Sequence, residues 1–218
     1  MEWFKTQQWH NRLAAIRLGL SAGTVAFLSM LVIAGCASRP PATTDNICRI
    51  FEDKPKWYKA ARKSADRWGT PIHVQMAIIR QESNFDADAK PPRGKALGFI
   101  PWKRKSSAYG YAQAKDGTWD WYRDKTGNRR ADRDDFKDAI DFVGWYTDES
   151  RRRLGISKWD PYSQYLAYHE GHGGFERKTY SGKSWLLGVA RKVDYTAKEW
   201  GAQLRRCEDD LDSGFWIF

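Results

Sequence analysis

The chain has 218 residues, with 37 lysines and arginines against 27 acids and a formal charge of +10. That length accommodates one domain with a sizeable core beside a short leader. The basic balance calls for an anionic partner. No lysine or arginine run sits within a nucleic-acid fold signature, so nucleic acid is set aside.

The first 35 residues read as a targeting segment. Lys5, Arg12 and Arg17 precede 17 uncharged residues, Leu18–Ala34. Ile33-Ala34-Gly35-Cys36 then resembles a bacterial lipoprotein cleavage box. Residues 1–35 are expected to be a signal peptide, and Cys36 the lipidated N-terminus of the mature chain. The alternative is a membrane-spanning helix, for which the stretch is nearly long enough. Two or more acyl chains anchor stably where one does not. The same resemblance, with Ala37 rather than Asp after the cysteine, implies the outer membrane, with the domain facing the periplasm. Cleavage removes Glu2 together with the three basic residues, so the mature chain stays basic. This suits cell-wall carboxylates, although a solvated basic surface would read the same way.

Residues 36–47 form the lipidated terminus and a Pro/Ser/Thr linker. Cys48 and Cys207 are the remaining cysteines, at opposite ends of the expected 48–207 domain. In an oxidising compartment they are expected to form a disulfide, with two buried free thiols as the alternative. Pro55–Trp68 reads as a helix with Trp57, Ala60, Ala61, Ala65 and Trp68 on one face, closed by Gly69. Thr70-Pro71 signals the next start, with the threonine as N-cap. From there Ile72, Met76 and Ile79 form an apolar stripe widened by Ala77 and Ile78. Glu82 follows Ile78 and Ile79 by four and three residues, which places its carboxylate on that face, in the last turn. Desolvation and the negative helix end both favour its protonated form, as a general acid requires. The other reading is a glutamate at a frayed helix end, reaching solvent or pairing with Arg80 or a distant arginine.

Asp86–Ser107 reads as irregular, with Pro91-Pro92, Gly94, Gly98 and Pro101 excluding long regular elements. Ala108–Gln113 is the expected site of a small hairpin. Asp116–Lys125 is predicted helical, ending at Gly127. Asp124–Asp135 approaches calcium-loop spacing, but Arg129 stands at the obligatory glycine and the twelfth residue is not glutamate. Asp135–Arg153 forms a long helix stopped by Gly155, and Asp160-Pro161 starts another that runs to Gly171. His169-Glu170-Gly171-His172 lacks metalloprotease spacing, so no metal and no cofactor is expected. Ser184–Arg206 is the last helix, with Leu187, Ala190, Val193, Ala197, Trp200 and Leu204 facing inward. The tail, residues 208–218, ends Phe-Trp-Ile-Phe and is apolar enough to dock on the domain or a partner. Most tryptophans are expected in the core. Trp102, Trp119 and Trp121 lie near the motifs and offer flat faces suited to sugar rings, with Trp119 placed rather in the core.

Three stretches in order carry a family resemblance. They are Glu82-Ser83, Gly110-Tyr111-Ala112-Gln113 followed by Thr118, and Ala167-Tyr168-His169-Glu170-Gly171. Together they resemble the signature of lytic transglycosylases of the soluble-lytic-transglycosylase type, over roughly Trp57 to Lys192. Departures are Tyr111-Ala112 where the family has Leu-Met, and His169 where it has Asn. The resemblance implies an all-α, lysozyme-like domain with at most a small β-hairpin, and peptidoglycan glycan strands as substrate. It implies Glu82 as single catalytic acid and base, with Ser83, Gln113, Tyr168, Gly110, Tyr111 and His169 around the sugar. In that mechanism the glutamate protonates the glycosidic oxygen, then deprotonates the muramic C6 hydroxyl, closing a 1,6-anhydro ring. Two other readings remain: a hydrolytic muramidase using Glu170 or Asp116 as a second carboxylate, and a non-catalytic wall-binding lipoprotein. Protein partners are not legible.

Overall fold

The computed structural model describes residues 39–96, 100–104 and 106–213. The chain divides into two units, Met1–Ala37 and Ser38–Phe218. The expected leader and Cys36 lie outside the described residues, as do the last five residues of the tail. No helix among the described residues is long and apolar enough to cross a membrane.

The described residues of the second unit are mainly helical, as expected. The first helix, α1 (Ile47–Asp53), is additional to the expected helices, although its signals are present: Asn46 accepts from the N–H groups of Cys48 and Arg49, and Ile47, Ile50 and Phe51 are buried. The described part of the linker lies against the domain, with Pro41 buried and Asp45 paired to Arg80 at 2.9 Å. α2 (Pro55–Trp68) ends at Gly69, whose φ of +71° is a conformation glycine adopts without strain.

The helix that carries Glu82 is α3 (Ile72–Ser83), with every residue from Val74 to Ile79 buried. Pro71 rather than Thr70 is its N-cap, and no side chain caps it. The Thr70 hydroxyl is fully buried and lies 2.7 Å from that of Thr147, so its hydrogen bond goes to the core instead.

β1 (Arg93–Ala96) and β2 (Ile100–Arg104) pair antiparallel, with Ala96 opposite Ile100. The hairpin therefore falls within the stretch read as irregular. Strands of four and five residues fit after Pro91-Pro92, which would have broken anything longer. At Ala108–Gln113 there is only an isolated bridge between Tyr109 and Ala114.

The remaining elements are α4 (Asp116–Thr126), α5 (Phe136–Leu154), α6 (Pro161–Glu170), α7 (His172–Glu176) and α8 (Ser184–Ser213). α8 runs beyond the expected Arg206 and buries Leu186 rather than Leu187. α2 packs on α5, α8 packs on α6 and α1, and α3 is held between α5 and α8. Cys48 and Cys207 are bonded, joining α1 to α8 across 159 residues.

Two features of the core fix α3. A polar seam crosses it: Ser64 Oγ donates to Gln75 Oε1 at 2.7 Å, and Gln75 Nε2 donates to Thr70 O at 2.7 Å. Beneath the helix end lies an aromatic cluster. Trp57 stacks on Phe136 at 3.9 Å and 4°, and Phe85 packs at 5.6 Å from Trp57 and 6.2 Å from Trp200. Burial of such rings is the largest favourable contribution available to a domain of this size.

Candidate active site

Asn84 and Phe85 have positive φ, 50° and 66°, directly after Glu82-Ser83. Two consecutive non-glycine residues in that region carry a cost of roughly 1–3 kcal/mol each. Burial of Phe85 between Trp57 and Trp200 offsets it. The backbone thus turns sharply at the end of α3, and Glu82 faces a groove.

Two clefts of about 310 and 550 Å³ share Glu82 and Gln113 in their walls, so they form two halves of one groove with Glu82 at the junction. One half is walled by Tyr146, Tyr168, His169 and Thr118. The other is walled by Ser83, Lys90, Pro91 and Lys192.

Burial raises the Glu82 pKa to about 7, opposed weakly by the Tyr165 hydroxyl, which hydrogen-bonds the carboxylate. Among the described residues no cation offsets the burial. Arg80 turns away to Asp45 and lies over the Trp200 ring at 5.3 Å. A carboxyl in an apolar wall with a tyrosine partner is a proton donor at neutral pH.

Tyr165 is the residue that sequence reasoning missed. It lies within the helix expected after Asp160-Pro161, and none of the three signature stretches includes it. Its spacing of three from Tyr168 places both hydroxyls on one helix face, which was the available signal. Burial and the adjacent Glu82 charge both raise the pKa of Tyr168, keeping it neutral. Its hydroxyl donates to the carbonyl of Ala112 at 2.5 Å. The third signature stretch is thereby tied to the second beside the first.

The second stretch is a tight turn. Gln113 has φ of 48°, and its Nε2 donates to the carbonyls of Ala89 and Gly110, each at 2.9 Å. Both amide protons are used within the fold, which leaves the amide oxygen for a ligand. Gly110 acts through its backbone: φ is +73°, and a Cβ there would fall 2.1 Å from the carbonyl oxygen of Arg133. Tyr111 departs from expectation. Its ring is wholly buried, edge-on to Trp57 and Phe136, and it does not line the groove. Trp119 is likewise in the core, and Trp121 packs edge-on to Trp145 at 4.5 Å.

Ser83 lines the groove, and its hydroxyl donates to the Ile79 carbonyl at 3.3 Å. His169 lines the other half, with Nδ1 3.1 Å from Glu170 Oε1. Glu170 is held by both contacts of Lys183 at 2.8 Å and by the Thr179 hydroxyl. Burial would raise its pKa, but bonds from Lys183, Thr179 and His169 outweigh that and lower it to about 2. Asp116 pairs with Arg133 at 2.8 Å. His172 stacks on Tyr146 at 4.5 Å, and its Nε2 lies 3.0 Å from Ser150 Oγ. Among the described residues no group of three or more His, Cys, Asp or Glu is placed to hold a metal.

No curated protein matches the chain. The family model described as the transglycosylase SLT domain matches residues 24–207, which end at the second disulfide cysteine and cover Glu82 and both later stretches. The chain therefore belongs to the transglycosylase SLT domain family and is a peptidoglycan lytic transglycosylase.

Proposed function

We propose that Glu82 alone performs both proton transfers in cleavage of the MurNAc-GlcNAc β-1,4 bond, releasing 1,6-anhydro-MurNAc ends. The observation that carries this is the contrast between the carboxylates at the groove. Glu82 has a pKa of about 7 and no cationic partner among the described residues, whereas Glu170 is held ionised by Lys183 and Asp116 is paired with Arg133. A carboxylate with a pKa near 2 is a weak base, and one already bonded to a lysine and a threonine has few lone pairs left to activate water. Glycosidases that hydrolyse with two carboxylates need the second one free to act. In the proposed cycle, neutral Glu82 protonates the glycosidic oxygen and the substrate N-acetyl group stabilises the sugar cation. The Glu82 carboxylate then takes the C6 hydroxyl proton as that oxygen closes on C1. Ser83, Gln113, Tyr168 and His169 position the sugar, and Tyr165 orients the carboxyl.

Mass analysis of fragments released from purified peptidoglycan tests the product. Anhydro ends are lighter than hydrolysed ends by one water, and Glu170→Gln should change neither that product nor the rate by more than about tenfold. Hydrolysed ends, with equal loss on Glu170→Gln and Glu82→Gln, would instead establish a muramidase.

The same proposal places the enzyme on the periplasmic side of the outer membrane, anchored through lipid on Cys36. Cys36→Ser should accumulate as a full-length precursor without fatty-acid label. Normal labelling and a cleaved terminus in that variant would exclude the anchor.

A further inference from the structure

Trp159 is 71% exposed, the most exposed large apolar side chain among the described residues. Its backbone is nonetheless fixed. The preceding Lys158 reaches the carbonyl of Trp68 and pairs with Asp148 at 2.6 Å. The following Asp160 caps α6 by accepting from Ser163 N–H at 3.0 Å. An indole displayed on so constrained a turn loses little entropy on contact with a ligand.

Beside it lies a cavity of about 430 Å³ between the start of α3 and the middle of α8. Its floor is apolar, from Ile72 and Leu204, with the His73 ring packed flat against Gly201. The indole and the imidazole are 5.8 Å apart at 58°, forming two walls of an open corner. Arg205 stands at the rim and makes no ion pair among the described residues. Burial and the Arg205 charge both lower the His73 pKa, so the imidazole is neutral and can donate and accept. Among the described residues the cavity shares no lining residue with the groove. His73 and Glu82 are nine residues apart on α3, a rise of roughly 14 Å.

An exposed indole beside polar side chains suits the apolar face of a sugar ring, and an unpaired guanidinium suits a carboxylate. The substrate of this family carries both on one polymer. We propose that the Trp159–His73–Arg205 corner is a second peptidoglycan-binding site: a sugar ring stacks on Trp159 while an acidic group of the same strand meets Arg205. This rests on peptidoglycan being the substrate. A long strand engaged at both places is held near the groove at raised effective concentration, whereas a fragment of a few sugars gains nothing.

The test compares full-length wild type with Trp159→Ala, Trp159→Phe and Arg205→Gln. Co-sedimentation with purified insoluble peptidoglycan reads binding, and turnover of a short soluble glycan reads the groove. Trp159→Ala and Arg205→Gln should each weaken sedimentation affinity about five- to tenfold, with short-glycan turnover within twofold of wild type. Trp159→Phe should retain most of the affinity, because it keeps a flat ring on the same turn. Unchanged affinity in Trp159→Ala, with wild type binding and cleaving, would overturn this site alone and leave the groove assignment intact. Equal loss of both readouts would assign Trp159 to fold integrity, and a wild type that neither binds nor cleaves peptidoglycan would overturn both this site and the substrate.

Discussion

A carboxylic acid that gives up and recovers a proton near neutrality needs a pKa near neutrality, and burial at the end of α3 holds Glu82 at about 7. The same shift affects stability. In the unfolded chain this group ionises near its ordinary 4.5, while in the fold it stays protonated up to about 7. Its contribution is therefore fully present below pH 4.5 and is lost as pH rises through 7, on the order of 2 kcal/mol after allowing for water in the groove. Glu82→Gln should melt with wild type at pH 4 and several degrees above it at pH 8, while cleavage falls by at least about a hundredfold. Equal melting at both pH values would contradict the buried, protonated carboxyl, and retained cleavage would remove Glu82 from the chemistry. Much at this scale was legible in the sequence. Apolar spacing alone put Glu82 on a buried face, because helical period fixes which side a residue occupies. What was not legible lies in the turns. Tyr111 and Gln113 are two residues apart, yet one is in the core and the other on the groove, since the positive φ of Gly110 and Gln113 breaks any simple alternation.

Elements were legible where their ends carry unambiguous chemistry. Gly69, Gly127 and Gly155 cap three helices in left-handed conformation, and Asp135 and Asp160 open two by accepting backbone N–H groups. α1 is not legible because seven residues give barely two turns of periodicity, and β1 and β2 because strands this short leave almost no alternation to detect. How helices pack is less visible from sequence, and Gly144 shows why. It sits inside α5, where glycine ordinarily weakens a helix, yet a Cβ there would lie 2.4 Å from Ser64 Oγ and 2.7 Å from Trp68 Cδ1. The glycine allows α2 close enough for the Ser64–Gln75 bond that secures α3. Gly144→Ala should cost about 1–3 kcal/mol by denaturant unfolding, with reduced cleavage from a loosened Glu82. Gly188→Ala in α8 meets nothing within 4 Å and should instead gain up to about 1 kcal/mol. Equal effects of the two would show that helix propensity, not packing, governs position 144.

At the scale of the whole domain, the described entry segment and the last helix are fastened together more than once. Cys48 is bonded to Cys207, Trp200 Nε1 donates to the Asp45 carbonyl at 3.3 Å, and Ile47 N–H donates to Gln203 Oε1 at 2.9 Å. These contacts brace α8, which in turn packs on both α3 and α6, the helices that carry Glu82 and Tyr168. The disulfide therefore bears on the groove without touching it. Because it closes a loop of 159 residues, the chain-entropy account gives it about 5 kcal/mol, acting by restricting the unfolded chain. The surrounding hydrogen bonds act only in the folded state, so they survive its removal. Reduction, or replacement of both cysteines by serine, should thus leave the native circular-dichroism spectrum and cleavage at 20 °C nearly unchanged. The denaturant midpoint should nevertheless fall by several kcal/mol in equivalent stability, with the slope of unfolding steeper as the unfolded chain expands. A midpoint that does not move would mean the hydrogen bonds alone hold α1 to α8, and loss of cleavage at 20 °C would mean the bond shapes the groove directly.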